Sequence, residues 1–227
     1  MEGDAPAAVS PLGLVERRIL GVLVEKARTV PDTYPLSLNA LVVGCNQKSN
    51  RDPLMELQEI EIQDCLEGLI RKKLVARVVG GRVERWRHQL YEVYALDKKE
   101  IAVLAELLLR GPQTEGELRL RASRMEPIED LETLRGVLHR LIERKLAVAL
   151  APLERRGAQV THGFHAPEEV EALRQRGGAG GSETDSPRPE PRSSPGAVEE
   201  LRQRVAILEQ QVADLTSRLD AMTHRAV

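Results

Sequence analysis

The sequence predicts an α+β fold, mainly helical, with two tandem winged-helix domains, a flexible linker and a C-terminal coiled-coil helix. Three observations carry this reading. The stretch LIRKKLVA from Leu69 to Ala76 returns, little changed, as LIERKLAV from Leu141 to Val148. In both copies a helix-period run ends in a basic pair and passes directly into a leucine-led, β-prone segment. Before each copy the same order of apolar helical stripes and Gly/Pro breaks appears. After the second copy, a Gly/Pro/Ser-rich stretch gives way to a strict heptad pattern.

Composition bounds the possibilities. The 227 residues, 41% hydrophobic and 30% charged, suit a soluble globular protein with room for two small domains and extra segments. No apolar run reaches the roughly 20 residues that span a bilayer. The opening MEGDAPAAVSP is neither basic nor apolar, so no secretion signal is expected and the cytoplasm is the default location. Cys45 and Cys65 form no CxxC or Cys/His cluster and read as small buried hydrophobes. The net charge is −2. Lys/Arg and Asp/Glu balance at 13 each over residues 1–95 and at 14 each over 96–176, so neither domain is basic overall. Tight nonspecific DNA binding is therefore disfavoured, because phosphate neutralisation supplies most of it.

Residues 1–10 are small and polar and read as a disordered N-terminus. The first domain, residues 11–96, opens at Ser10-Pro11, a helix-entry pair, followed by Val15, Ile19, Val22 and Leu23 at helical spacing. Pro31 and Pro35 impose a loop. Ser37 caps a second helix whose face is Leu38, Leu41, Val42 and Cys45. The polar run CNQKSNRDP follows, then a third helix over about residues 58–72 with Ile62, Cys65, Leu66, Leu69 and Ile70 inward. A β-prone run from Leu74 to Val79, a turn at Gly80-Gly81 and a second β-prone run from Leu90 to Leu96 complete a hairpin.

The second domain, residues 97–176, restates this order. Asp97 with Glu100 resembles a capping box before the stripe Ile101, Leu104, Ala105 and Leu108. Gly111-Pro112 breaks the helix, and Thr114 with Glu117 opens a short helix through Leu118. A longer helix over about 128–145 carries Leu131, Leu134, Leu138, Leu141 and Ile142, and residues 146–151 and 158–165 supply the hairpin. Val83 to His88 and Val160 to His165 share one further spacing. Residues 177–196 form the flexible linker. Over 197–224, Val198, Leu201, Val205, Leu208, Val212, Leu215, Leu219 and Met222 alternate three and four apart. Valine at a and leucine at d favour a parallel two-stranded coil, hence a homodimer, with a trimer as the alternative.

The segments YPLSLNAL (Tyr34–Leu41), CNQKSNRDP (Cys45–Pro53), RVERWRH (Arg82–His88) and LLLRGPQTEGELR (Leu107–Arg119) resemble the YceH-like family of bacterial proteins of unknown function. The resemblance covers about residues 12–166. It implies two tandem winged helices, often with a C-terminal coil, and no defined activity. Two departures stand out. The second hairpin reads GAQVTHGFH (Gly157–His165) where the family carries an Arg-aromatic-x-His pattern, and Gln58 starts a helix where Ser or Thr is usual.

A conventional reader places its recognition helix in the major groove. Here that helix carries Glu59, Glu61 and Asp64 in the first domain and Glu129, Asp130 and Glu132 in the second, which repel phosphate. Cations gather instead from Arg71 to His88 and in the polar loop. The candidate nucleic-acid- or partner-binding residues are Lys48, Asn50, Arg51, Lys72, Lys73, Arg82, Arg85, Trp86, Arg87 and His88. The expected function is a non-enzymatic dimer that binds duplex DNA through the basic first wing, as a transcriptional regulator. The alternative is a protein-interaction scaffold similar to the tandem winged-helix subunits of chromosome-segregation complexes. Aromatics at 2% are too few for a base-stacking platform. No phosphate loop or Ser/His/Asp set appears, and His162 with His165 lacks a third metal ligand. No cofactor, metal or membrane partner is expected.

Overall fold

The computed structural model describes residues 8–80, 83–153 and 155–179. Arg82, the Gly81 half of the first turn, residues 180–196 of the expected linker and the whole heptad seam lie outside the described residues, whereas 177–179, expected as the start of the linker, are helical. The chain is mixed helix and small sheet, with eight α-helices among the described residues.

The first half runs α1 (Leu14–Thr29), a 3-10 turn (Pro31–Thr33), β1 (Leu36–Ser37), α2 (Leu38–Cys45), α3 (Glu59–Arg71), β2 (Val75–Val78), β3 (Arg85–His88) and α4 (Leu90–Tyr94). The second half runs α5 (Lys98–Arg110), β4 (Gln113–Thr114), α6 (Glu115–Ala122), α7 (Leu131–Glu143), β5 (Ala147–Ala149), β6 (Gln159–His162) and α8 (Pro167–Ala179). Each half closes a three-stranded antiparallel sheet, ordered β1-β3-β2 and β4-β6-β5. Strands β1 and β4 escape the sequence reading because two residues carry no periodicity. Each simply spends its last residue capping the next helix: Ser37 Oγ accepts from Ala40 N at 3.3 Å and Thr114 Oγ1 from Glu117 N at 3.4 Å.

The repeated motif is a helix ending. Leu74 N donates to Leu69 O (2.9 Å) and Lys73 N to Ile70 O (2.9 Å); Leu146 N donates to Leu141 O (2.8 Å) and Lys145 N to Ile142 O (2.9 Å). This is the paired bonding of a Schellman stop, with Lys73 (φ 59°) and Lys145 (φ 60°) in the left-handed position. The leucine after each lysine is buried against the helix it terminates. Conservation of the motif between the halves is thus explained by backbone geometry and burial, without a ligand.

Three boundaries differ from expectation. Helix α1 begins at Leu14, not at Ser10-Pro11. The chain from Val9 to Leu12 packs on the core without regular structure, Leu12 N bonding Phe164 O at 3.0 Å, and Glu16 reaches back to Gly13 N at 2.9 Å. Ordered structure therefore starts ahead of Pro11. Leu90–Leu96 is not a strand: Leu90 and Tyr94 are buried one helical turn apart, and the β-prone composition there misleads. The spacing echo between the hairpins is also out of register. Val75 pairs with His88 and Ala147 with His162, so His162, not His165, occupies the position of His88.

The two halves share one core. In α1, Arg17–Glu25 are buried on every side, as are Glu100–Leu109 in α5, because these equivalent first helices pack on each other. Gly21 sets the close approach: a Cβ there would lie 2.8 Å from Leu109 Cγ.

Candidate interaction surface

Alternation along β3 decides which side chains of the basic hairpin reach solvent. Successive residues of a strand point to opposite faces, so Arg85 and Arg87 turn outward while Trp86 and His88 turn inward. Trp86, opposite Leu36 and Arg77 in the sheet, is buried in the core, and His88 sits between the rings of Tyr34 and Tyr91. The expectation that Trp86 and His88 meet a partner is corrected by this alternation, which was readable in Arg-Trp-Arg-His itself.

The outward cations are tied down locally. Arg87 Nη1 lies 2.7 Å from Glu92, Arg77 Nη1 3.1 Å from Glu84, and Arg85 Nη1 donates to Pro35 O at 2.8 Å. Lys72 Nζ is 2.7 Å from Glu16 on α1. These pairs are partly exposed and individually weak. Lys48, Arg71 and Lys73 are exposed and make no ion pair among the described residues.

The CNQKSNRDP loop turns inward. Arg51, offered as a surface contact, has a side chain 0% exposed. It grips Glu25 of α1 through both terminal nitrogens (2.5 and 3.3 Å) and donates to Gly44 O and Gln47 Oε1 at 3.0 and 2.9 Å. Asn50, at φ 58°, accepts from Arg110 of α5 at 2.8 Å, and Asp52 N donates to Leu109 O at 3.0 Å. Asn46 fastens the far end, exchanging two 2.8 Å bonds with the backbone of Leu57. Glu25 also pairs with Arg124, which reaches Glu106 of α5 at 3.0 Å. Burial alone would raise the Glu25 carboxyl, but Arg51 and Arg124 outweigh it and hold the group below the usual carboxylate range. The loop is a latch between the halves, and Arg51 and Asn50 are structural.

A second clasp joins α1 to the second hairpin. Arg17 Nη1 donates to His165 Nδ1 at 2.6 Å, Arg17 Nη2 pairs with Glu169 of α8 at 2.8 Å, and His165 stacks on His162 with centroids 3.9 Å apart. With a guanidinium against one imidazole, this pair is poorly suited to a cation. Among the described residues no group of three or more His, Cys, Asp or Glu is placed to hold a metal ion. Burial pushes the Cys45 thiol up to about 12, which removes it as a nucleophile. Among the described residues no helix is long and apolar enough to cross a membrane.

The features that the sequence reading overlooked are exposed aliphatic side chains beside the acidic helix. Val43 on α2, Leu54 in the loop and Ile60 in the first turn of α3 are 59%, 63% and 63% exposed. On α3 and in the segment just before it, Glu56, Glu59, Glu61, Asp64 and Glu67 are exposed as well. Alternation of Ile60 with Ile62 carried the signal: a helix whose inner stripe is already filled by Ile62, Leu66 and Leu69 leaves Ile60 outside.

Comparison with known proteins places this architecture in context. The family described as "Protein of unknown function, DUF480" matches residues 12–159. A UPF0502 protein of Rhodopirellula baltica is 48% identical over 160 residues, covering 70% of this chain and 67% of that relative. One from Hahella chejuensis is 41% identical over 220 residues, 93% of each chain, and one from Geotalea daltonii is 53% identical over 140 residues, 61% of this chain and 64% of its own.

Proposed function

Since the chain belongs to the DUF480 family of proteins of unknown function, we propose that it is a non-enzymatic tandem winged-helix protein working as a protein-interaction scaffold. The winged-helix reading is supported by three helices, a hairpin and a short third strand recurring in order in each half. One observation favours a scaffold over a DNA reader. The helix that would enter a major groove, α3, presents Glu59, Asp64 and Glu67 with Ile60, while Arg51 and Trp86 are buried. Carboxylates repel the backbone that dominates DNA affinity.

Titration of mixed-sequence duplex DNA against the full-length protein across a salt series tests this reading. The expected result is weak binding at low salt and a shallow slope of log K on log salt, matching no more than about two phosphates. A slope of about −5 or steeper would transfer the assignment to a DNA-binding regulator. That second reading is favoured by Arg71, Lys73 and Lys48, exposed and without an ion pair among the described residues.

The heptad seam from Val198 to Met222 supports a dimer in which two pairs of domains share one coil. Truncation after Arg176 is expected to lower the mass measured by light scattering from that of two full chains to that of one shortened chain. A mass that stays dimeric would move the main contact into the helical halves.

A further inference from the structure

We propose that the outer face of α2 and α3 seats an amphipathic helix of a partner protein, rich in lysine and arginine on its flanks and aliphatic along its centre. The inference rests on the scaffold reading and names the chemistry of its partner. Val43, Leu54 and Ile60 lie on three consecutive segments, and α2 and α3 pack against each other. All three side chains are exposed, Val43 and Ile60 outside the sets of residues that α2 and α3 bury and Leu54 in the loop between those helices. Asp64 and Glu67 follow Ile60 by four and seven residues, so they share its side of α3. Glu56, Glu59, Asp64 and Glu67 make no ion pair among the described residues, and Lys or Arg is absent from α3 until Arg71 closes it.

Single exposed aliphatics need no explanation, whereas recurrence at matched positions does. Leu120, 72% exposed, sits six residues beyond its cap Thr114 on α6, as Val43 sits six beyond its cap Ser37 on α2. Leu131, 40% exposed, opens α7 one position ahead of Glu132, the counterpart of Ile60, so in the first turn of this helix the aliphatic is shifted by one residue rather than matched. Sequence has drifted between the halves, yet both keep an aliphatic outside at this corner.

Charge selects the occupant. A second copy of this face would set carboxylate against carboxylate, and nucleic acid would set carboxylate against phosphate. A cationic helix with aliphatic anchors meets both components of the surface, the anchors in the Val43, Leu54 and Ile60 patch and the cations over Glu59, Asp64 and Glu67.

The test uses the full-length protein and a fluorescently labelled helical peptide with leucines at helical spacing and lysines on its flanks. A second peptide replaces every lysine by glutamate, and a third scrambles the leucine spacing. The lysine peptide should bind about tenfold or more tightly than either, and weaken with salt. Ile60→Lys and Leu54→Ser should each lower its affinity about tenfold, with circular dichroism unchanged, while Val79→Ser on the first hairpin leaves it as it was. Equal binding of the lysine and glutamate peptides, or equal loss in the Val79→Ser control, overturns the proposal. So does a parent protein whose mass falls on Ile60→Lys, since the occupant would then be a second copy. Failure of all three peptides alongside a shallow DNA salt slope rejects this partner chemistry and leaves the scaffold reading standing; a steep DNA slope removes both.

Discussion

Replacing Glu25 by alanine is expected to destabilise the protein by about 3–5 kcal/mol, the usual range for removing one partner of a buried ion pair. The magnitude follows from what is left behind. Arg51, with its side chain 0% exposed, would keep its charge and lose the only carboxylate that reaches it among the described residues. Arg124 would retain Glu106 alone, at 3.0 Å. Because Glu25 belongs to α1, Arg51 to the CNQKSNRDP loop and Arg124 to the turn just after α6, the loss also loosens the joint between the halves. Urea unfolding should show a lower midpoint and hydrogen exchange should rise in the loop and at the start of the segment after α6. The double replacement Glu25→Leu with Arg51→Met should cost less than Glu25→Ala, since no fully buried charge is orphaned. A change within about 0.5 kcal/mol for Glu25→Ala would mean that the network is surface-like and the latch is not structural.

Much of the fold was legible because it rests on local rules. The stripe Ile62, Leu66, Leu69 placed α3, the Ser37 and Thr114 caps placed α2 and α6, and the lysine-leucine repeat marked both helix ends. Errors arose where local preference met a tertiary requirement. Leu90–Leu96 is β-prone residue by residue, yet β3 ends at His88 and Gln89 N bonds Leu74 O at 2.8 Å, after which Leu90 and Tyr94 reach the core only as a helix. Ser10-Pro11 is a sound helix entry, but the backbone of Leu12 bonds Phe164, more than a hundred residues away, and stays outside the helix. No window of sequence contains that contact.

The candidate site was legible in its chemistry and misplaced in its exposure. Counting cations from Arg71 to His88 identified a charged hairpin but not the acids that neutralise it, because Glu92 and Glu16 approach Arg87 and Lys72 from other elements. The polar loop posed the reverse problem. Asn50 and Arg51 look like donors awaiting a ligand, and their acceptors turn out to be Glu25, Gly44 and, through Arg110, the second half of the chain. Polarity of a segment says that partners exist, not whether they are internal.

Stability is expected to fall as the solution is acidified from pH 6.5 to pH 5, with His88 alone contributing about 2 kcal/mol. His88 is held down to about 4, mainly by burial, with Arg87 acting in the same direction and Glu92 opposing it. Its Nδ1 is buried with no partner among the described residues, so a proton there would bring an unsolvated charge between Tyr34 and Tyr91. His162 is also lowered well below its ordinary value, by burial first and then by His165 and Arg17. His165 is lowered by burial and Arg17 against the pull of Glu169. Its hydrogen bonds require the neutral form: Nδ1 accepts from Arg17 while Nε2 faces Thr161 Oγ1 at 2.9 Å. Above pH 6.5 folded and unfolded chains bind the same protons at these sites and nothing is lost. Below it the unfolded chain gains protons that the folded chain refuses, and the difference grows until the folded groups themselves titrate. The window ends near pH 5 because carboxylates such as Glu25 and Glu169, lowered in the fold, then begin to add their own loss in the same direction. His88 alone should therefore remove about 2 kcal/mol by pH 5 in urea titrations, with His162 adding to the loss in the same direction, and His88→Phe should return the share that belongs to His88. A midpoint that does not move between pH 7 and pH 5 would mean that both rings are hydrated in solution and that the clasp between Arg17 and the second hairpin opens freely.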